Sequence, residues 1–464
     1  MKQEGYLSTV MQWCSLLKGS LSQLSLSAVI AIAVISSSAV AFGQAGHLDS
    51  TFGKGGIFTT NFTQTDVTID SAVAIQSDGK IVLGGTTPNG SSQAAALLRL
   101  DSNGTLDPSF GTGGIVNSDF GIEPLGAAVT AVVIQPNGQI LAAAVGLFLN
   151  EGSVGRFNAD GSVDTTFGTG GFAISSIIDS AAGGLSLMAL QSDGKILVTG
   201  GNAIGRYTST GQLDTTFGSD GIAPLASATA TAIALQSDGR ILITTGKGGP
   251  TQLFGGEPLA PQALAGSIAR YNTNGSLDRT FGFSGQAACV ASSAAIAVQS
   301  NGRIVVAGAI DSALVIGSNQ TGFGVIRYNT NGSIDTTFNP GGGLGSGGGV
   351  ITGFGNSFPE SGPFALAIQS NGEIVVAGEA GNGNLGLSSS SFALARYTTT
   401  GQLDTGFGTN GTVITTLSQA PISFVSALAL QSDGKIVAAG NTGSLEQQQR
   451  NFLDNFAVAR YLAQ

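Results

Sequence analysis

The residues with the most chemical promise recur as a set. In Arg156-Phe-Asn158-Ala-Asp160-Gly161-Ser-Val-Asp164, the string N-x-D-G-x-x-D offers oxygen ligands at alternate positions, as a calcium loop does. The position where such a loop carries its first Asp is taken by Arg156, and the same holds at Arg327, Asn329, Asn331 and Asp335. A guanidinium there can pair with the Asp eight residues on and staple the turn without metal. Arg206 with Asp214, Arg270 with Asp278 and Arg396 with Asp404 repeat the spacing. These arginines and aspartates are therefore expected to be structural, with no catalytic residue among them and no cofactor. Calcium is the competing occupant, disfavoured by too few carboxylates per loop.

Other chemistries lack their parts. With His47 as the only histidine, a Ser-His-Asp or Cys-His site has no base, and a zinc site has no ligand set. Cys289 lies in the apolar stretch QAACVASSAAIAV and reads as a buried, inert thiol. Trp13 is the only tryptophan and precedes the repeats, which disfavours carbohydrate binding by ring stacking. Strings like G-x-G-x-x-G occur, but in turn-rich segments rather than before a helix.

The elements that must position the Arg–Asp pairs come from an internal repeat. L-D-x-x-F-G has its Asp at 49, 107, 164, 214, 278, 335 and 404, a period of about 59 residues. Q-S-D-G-K-I has its Gln at 76, 135, 191, 236, 299, 369 and 431, and an Arg followed by an aromatic residue or Leu comes next, at 99, 156, 206, 270, 327, 396 and 460. Each copy reads as four strands; in the last they are GTVITT, VSALALQ, KIVAAG and FAVARY. Asp-Gly or Asn-Gly between apolar runs predicts a two-residue type I′ hairpin at the S-D-G-K turns. Phe52, Phe110, Phe167, Phe217, Phe281, Phe338 and Phe407 of this motif are expected between blades, as core.

Four strands repeated seven times predict an all-β protein, a seven-bladed β-propeller with four antiparallel strands per blade. A β-solenoid is the runner-up. If the strand after each F-G belongs to the preceding blade, the N-terminal strand completes blade seven and closes the ring. Composition agrees: 72 glycines, 42% hydrophobic and 10% charged residues suit short strands and tight turns and argue against disorder. RYNTNGSLDRTFG, ALQSDGKIVAAG and FALARYTTTGQLDTGFG resemble the delta-60 repeat family of bacterial exported propeller-like proteins, over about residues 46 to 464. The resemblance implies a propeller and export, and no general activity. Departures fall at Pro136 and Gln139, at Asn339-Pro340 and Glu373, and at Leu100.

Residues 1–45 read as a signal peptide: Lys2 and Lys18, the run LSLSAVIAIAVISSSAVAF, then cleavage after Ala41 or after Ala45. A membrane anchor is the weaker reading of that run. The chain is thus expected outside the cytoplasm, in the periplasm, on the surface or secreted, as a monomer and not an integral membrane protein once the leader is gone.

Alternating connections divide between two rims. The S-D-G-K and Arg-to-Phe turns keep nearly constant length on one, apart from a Gly-rich insert at 341–349. The other rim varies, with excursions at 245–267, 308–322, 378–391 and 440–455. Variable loops on a rigid scaffold are where binding usually resides. That rim collects Asp66, Asp70, Asp119, Glu123, Glu151, Asp179, Glu257, Asp311, Glu360, Glu379, Glu446 and Asp454 against only Lys247 and Arg450. Its binding candidates are Glu123, Glu151, Phe254, Glu257, Asp311, Glu360 and Glu379. The acidic excess disfavours nucleic acid and anionic lipid and suits an unknown protein or cationic ligand; plain solubility is the competing reading. A binding scaffold is the favoured function. A carboxylate-based hydrolase or lyase on the same rim and a purely structural surface protein are the alternatives.

Overall fold

The computed structural model describes residues 44–464, which form one compact unit, apart from 61–71, 90–91, 123–125, 147–150, 176, 178–186, 227–229, 246–265, 290–291, 312–320, 343–346, 356, 383–388, 418–421 and 444–454. The cleavage region before Gln44 lies outside the described residues.

Alternating small and branched residues form seven four-stranded antiparallel sheets, each one blade. Blade 6 runs through Glu360–Ile368, Ile374–Gly381, Ser390–Tyr397 and Thr412–Thr415 in that order. The first strand of every blade touches the first strand of the next, and Ala72–Ile75 of blade 1 touches Ile422–Leu430 of blade 7. These contacts make a closed cycle, so the first strands are the innermost and the protein is a seven-bladed β-propeller. Blade 7 takes its outer strand from the other end of the chain: Ile57–Thr59 pairs antiparallel with Asn455–Tyr461, Ile57 opposite Ala459.

The core is a stack of layers between blades. One layer joins Val82 and Leu97 of blade 1 to Val129 and Ala142 of blade 2; another joins Leu83 and Leu98 of blade 1 to Val437 and Val458 of blade 7. Phe52, Phe110, Phe167, Phe217, Phe281, Phe338 and Phe407 are fully buried, as is Cys289. The inner strands carry a one-residue bulge in blades 2, 4, 5, 6 and 7, at Val129/Ala131 in blade 2 and Pro363/Ala365 in blade 6. Such bulges add twist where strands crowd toward the axis.

Two local expectations change. The S-D-G-K turns are not two-residue type I′ turns. In blade 1 the Gly79 N–H donates to the Gln76 carbonyl at 2.9 Å and the Gln76 N–H to the Lys80 carbonyl at 2.9 Å. Only Gly79 has a positive φ, +85°. This is a three-residue loop ending in a left-handed glycine. Asp78 stays out of that region because its Oδ1 accepts the Lys80 N–H at 3.1 Å. The third and second strands also run further toward the variable rim than the loop limits implied. Ile304–Asp311 and Thr321–Tyr328 pair down to Asp311 opposite Thr321, and Glu379 lies within a strand, opposite Phe392. Burial of Ile310, Phe323 and Phe392 extends the layers that far.

Candidate functional site

On the constant rim, each Arg ends the third strand of its blade; in blades 1 to 6 its Asp follows in the turn, and in blade 7 Asp49 from the other end of the chain takes that place. Arg156 Nε donates to Asp164 Oδ2 at 2.7 Å, Arg206 to Asp214 at 2.8 Å, Arg270 to Asp278 at 2.9 Å, and Arg327 to Asp335 and Arg396 to Asp404 at 2.7 Å. The guanidinium also lies over the Phe ring of its own turn, 4.5 Å from the Phe338 centroid for Arg327. Its Nη1 donates to a backbone carbonyl of the next blade: Arg156 to Ser209 at 2.7 Å, Arg327 to Thr399 at 2.6 Å, Arg396 to Ala463 at 2.7 Å. One side chain thus ties its own turn and the neighbouring blade.

Sequence reasoning missed the second cation. The Lys or Arg of the S-D-G-K turn reaches the same Asp: Lys80 with Asp107 at 2.8 Å, Lys195 with Asp214 at 3.2 Å, Arg240 with Asp278 and Arg303 with Asp335 at 3.3 Å. The recurring Lys in the motif was the available signal. The departures then acquire a reason. In blade 2 Gln139 gives Asp164 a neutral donor at 2.7 Å. In blade 6 Glu373 cannot join Asp404 and pairs with Arg396 at 3.3 Å instead. Asn339 fills the left-handed position that glycine holds after the other six phenylalanines, at φ +47°.

The electrostatics follow the geometry. Burial pushes the Asp107 carboxyl up, but hydrogen bonds from Lys80 and Ser109 and the Arg99 charge outweigh it and hold it well below the usual carboxylate range. For Asp164 the Thr166 hydroxyl leads; with the Thr166 N–H, Arg156 and Gln139 it overcomes burial and brings the carboxyl down to about 2. Each is a satisfied anion and a poor proton carrier. Among the described residues no group of three or more His, Cys, Asp or Glu is placed to hold a metal. Two clefts of 610 and 840 Å³ open between adjacent turns of this rim, one by Gln236 and Arg270, the other by Gln299 and Arg327. The Oε1 atoms of Gln236 and Gln299 are buried there without a hydrogen-bond partner.

Of the candidates on the variable rim, Glu123, Phe254 and Glu257 lie outside the described residues, and Asp311 is placed only by its backbone at a strand end. Glu151 is exposed. The fold brings together Glu360 and Glu379. Glu379 faces Gly362 across the strand pair and Glu360 sits two residues away, so the two carboxylates are diagonal neighbours on one face. Burial, then the Glu360 charge, raise the Glu379 carboxyl above its ordinary value; the Ser390 hydroxyl opposes them. Ser390 also accepts the Ser423 N–H at 3.2 Å and donates to the Ser423 carbonyl at 3.0 Å, tying blade 6 to blade 7 beside the pair.

The fold and its repeated turns define a seven-bladed propeller of one repeat type. Seven segments (76–110, 135–167, 191–217, 263–281, 299–338, 369–407 and 431–453) match the family described as "Domain of unknown function (DUF5122) beta-propeller". The matches support a propeller repeat family for this chain. No curated protein matches it. Among solved structures, Sqt1 from Chaetomium thermophilum is similar at 12% identity and TM-score 0.45, over 86% of this chain and 96% of that one. The polysaccharide lyase Uly1 is similar at 10% identity and TM-score 0.41, over 91% and 94%. A protein of unknown function from Bacteroides caccae is similar at 13% identity and TM-score 0.34, over 58% and 80%.

Proposed function

We propose that this chain is an exported propeller of delta-60 type repeats that works as a binding scaffold, offering its acidic variable rim to a protein or cationic ligand. The observation that carries the reading is the asymmetry of the ring. Antiparallel strands put the Arg–Asp staples on one rim, and the sequence assigns the connections of variable length, except the Gly-rich insert, and the acidic excess to the other. Ion pairs take up most of the charges of the constant rim, which supports assigning the net negative field to the other side. No cofactor enters this reading. The test is titration of the purified protein with poly-L-lysine as a cationic probe. We expect binding that weakens with salt and is lost when Asp119, Glu151 and Glu360 are changed together to Asn or Gln. Absence of binding at low salt sinks the cationic-ligand reading.

A second reading rests on Glu360 and Glu379. Two neighbouring carboxyls, one of them held above its ordinary proton affinity by burial and its neighbour's charge, can serve a hydrolase or lyase as acid and base. A panel of glycan and ester substrates tests it, with Glu379→Gln expected to abolish whatever activity appears. No turnover across the panel removes this reading.

A further inference from the structure

Six blade junctions share one backbone bond. The N–H of the residue after the F-G phenylalanine donates to the carbonyl just before the turn glycine of the next blade: Gly53 to Asn103, Gly111 to Asp160, Gly168 to Thr210, Gly218 to Asn274, Gly282 to Asn331 and Asn339 to Thr400, at 2.7–2.9 Å. The seventh junction, between blades 6 and 7, is built by the two ends of the described ring. There the Gly408 N–H donates at 2.8 Å to the carbonyl of Ala45. Ala45 is 8% exposed and packs in the layer that holds Phe407, Leu417 and Tyr461. Gly46 is the turn glycine, at φ +82°, and donates to the Leu462 carbonyl at 2.8 Å. A Cβ on Gly46 would lie 2.7 Å from the Gly408 nitrogen, so the segment is as closely fitted as its six counterparts. The Gln44 carbonyl accepts the His47 N–H at 3.0 Å. Further along, Arg460 Nε donates to Asp49 Oδ2 at 3.0 Å and the guanidinium covers Phe52 at 4.7 Å.

The sequence offers two small-residue exits for a signal peptidase, after Ala41 and after Ala45. Cleavage after Ala45 would delete the acceptor for Gly408, remove a buried methyl group and leave a new ammonium on Gly46 inside the junction. We infer that the leader is removed between Ala41 and Phe42, and that Gln44 and Ala45 stay with the ring as part of the seventh staple. The step is amide hydrolysis: water adds across the Ala41–Phe42 bond, leaving a carboxylate on Ala41 and a free amine on Phe42. This inference rests on the export reading above.

The test is to express the full chain with its own N-terminus in a bacterial host and read the N-terminus of the exported protein by intact mass and terminal sequencing. Phe42 is expected. Gly46, or any later residue, overturns the inference while leaving export standing. A chain still beginning at Met1 and retained in the cytoplasm overturns export and the inference with it. A second variant guards the result: Ala41→Leu should abolish the processed form, and unchanged processing would overturn the assignment.

Discussion

The two rims of this ring are made from the same strands and differ in what they do with charge. On the stapled rim, Asp335 is almost fully buried and takes Arg327 and Arg303 at once. On the other rim, Glu379 sits beside a second carboxylate with only a serine hydroxyl to offset burial. The first arrangement holds the carboxylate ionised and the second favours a retained proton. The contrast separates carboxylates held by cations from a strand pair in which two carboxylates lie side by side.

Acid should expose the difference most strongly, because it reaches every staple together. Asp49, Asp107, Asp164, Asp214, Asp278 and Asp335 are held below the ordinary value near 3.8, Asp164 at about 2, so between pH 4 and 2 the unfolded chain binds more protons than the ring. Their stabilisation is complete above pH 4 and is lost as pH falls through that window. A melting curve followed by circular dichroism should collapse there; unchanged melting at pH 2.5 would refute the staples as a source of stability. Next in size is Phe217→Ala, which removes a fully buried ring between blades and should cost about 4 kcal/mol in denaturant titration. Asp335→Ala leaves two cations facing each other without their carboxylate and should cost about 3 kcal/mol.

Smaller changes sharpen the comparison. Glu373→Lys in blade 6 restores the second cation for Asp404 and should add about 0.5 kcal/mol. A loss of stability would mean that Glu373 serves Arg396 better than the usual lysine serves the Asp. On the variable rim, Glu379→Gln should raise the melting temperature at pH 7, and the gain should fade as pH falls and Glu379 takes up its proton. Glu151→Gln, on an exposed side chain, should move stability by less than about 0.5 kcal/mol while still weakening capture of a cationic probe.

Much of the stapled rim was legible because it is written seven times. The eight-residue spacing from Arg156 to Asp164 fits one turn, and such local geometry is fixed by chain length and residue type. The lysine partner was not legible, since Lys80 meets Asp107 only when two separate turns of one blade are brought side by side. The turn type was misread for a related reason: Asp-Gly permits a type I′ turn, but the strand pairing from Gln76 to Lys80 selects a three-residue loop. Glu360 and Glu379 stood among seven binding candidates with nothing to pair them until register placed them diagonally on one face.

By itself the sequence determined seven repeats, four strands in each, and the sides on which constant and variable connections emerge, because periodicity and alternation are properties of the chain. Only the tertiary structure decided that Arg460 answers Asp49 and that Ala45 supplies the last junction's carbonyl. Those pairings lie hundreds of residues apart. They exist because a ring must close: the offset of the repeat pointed to the N-terminal strand joining blade 7, and packing decided which side chain and carbonyl meet there.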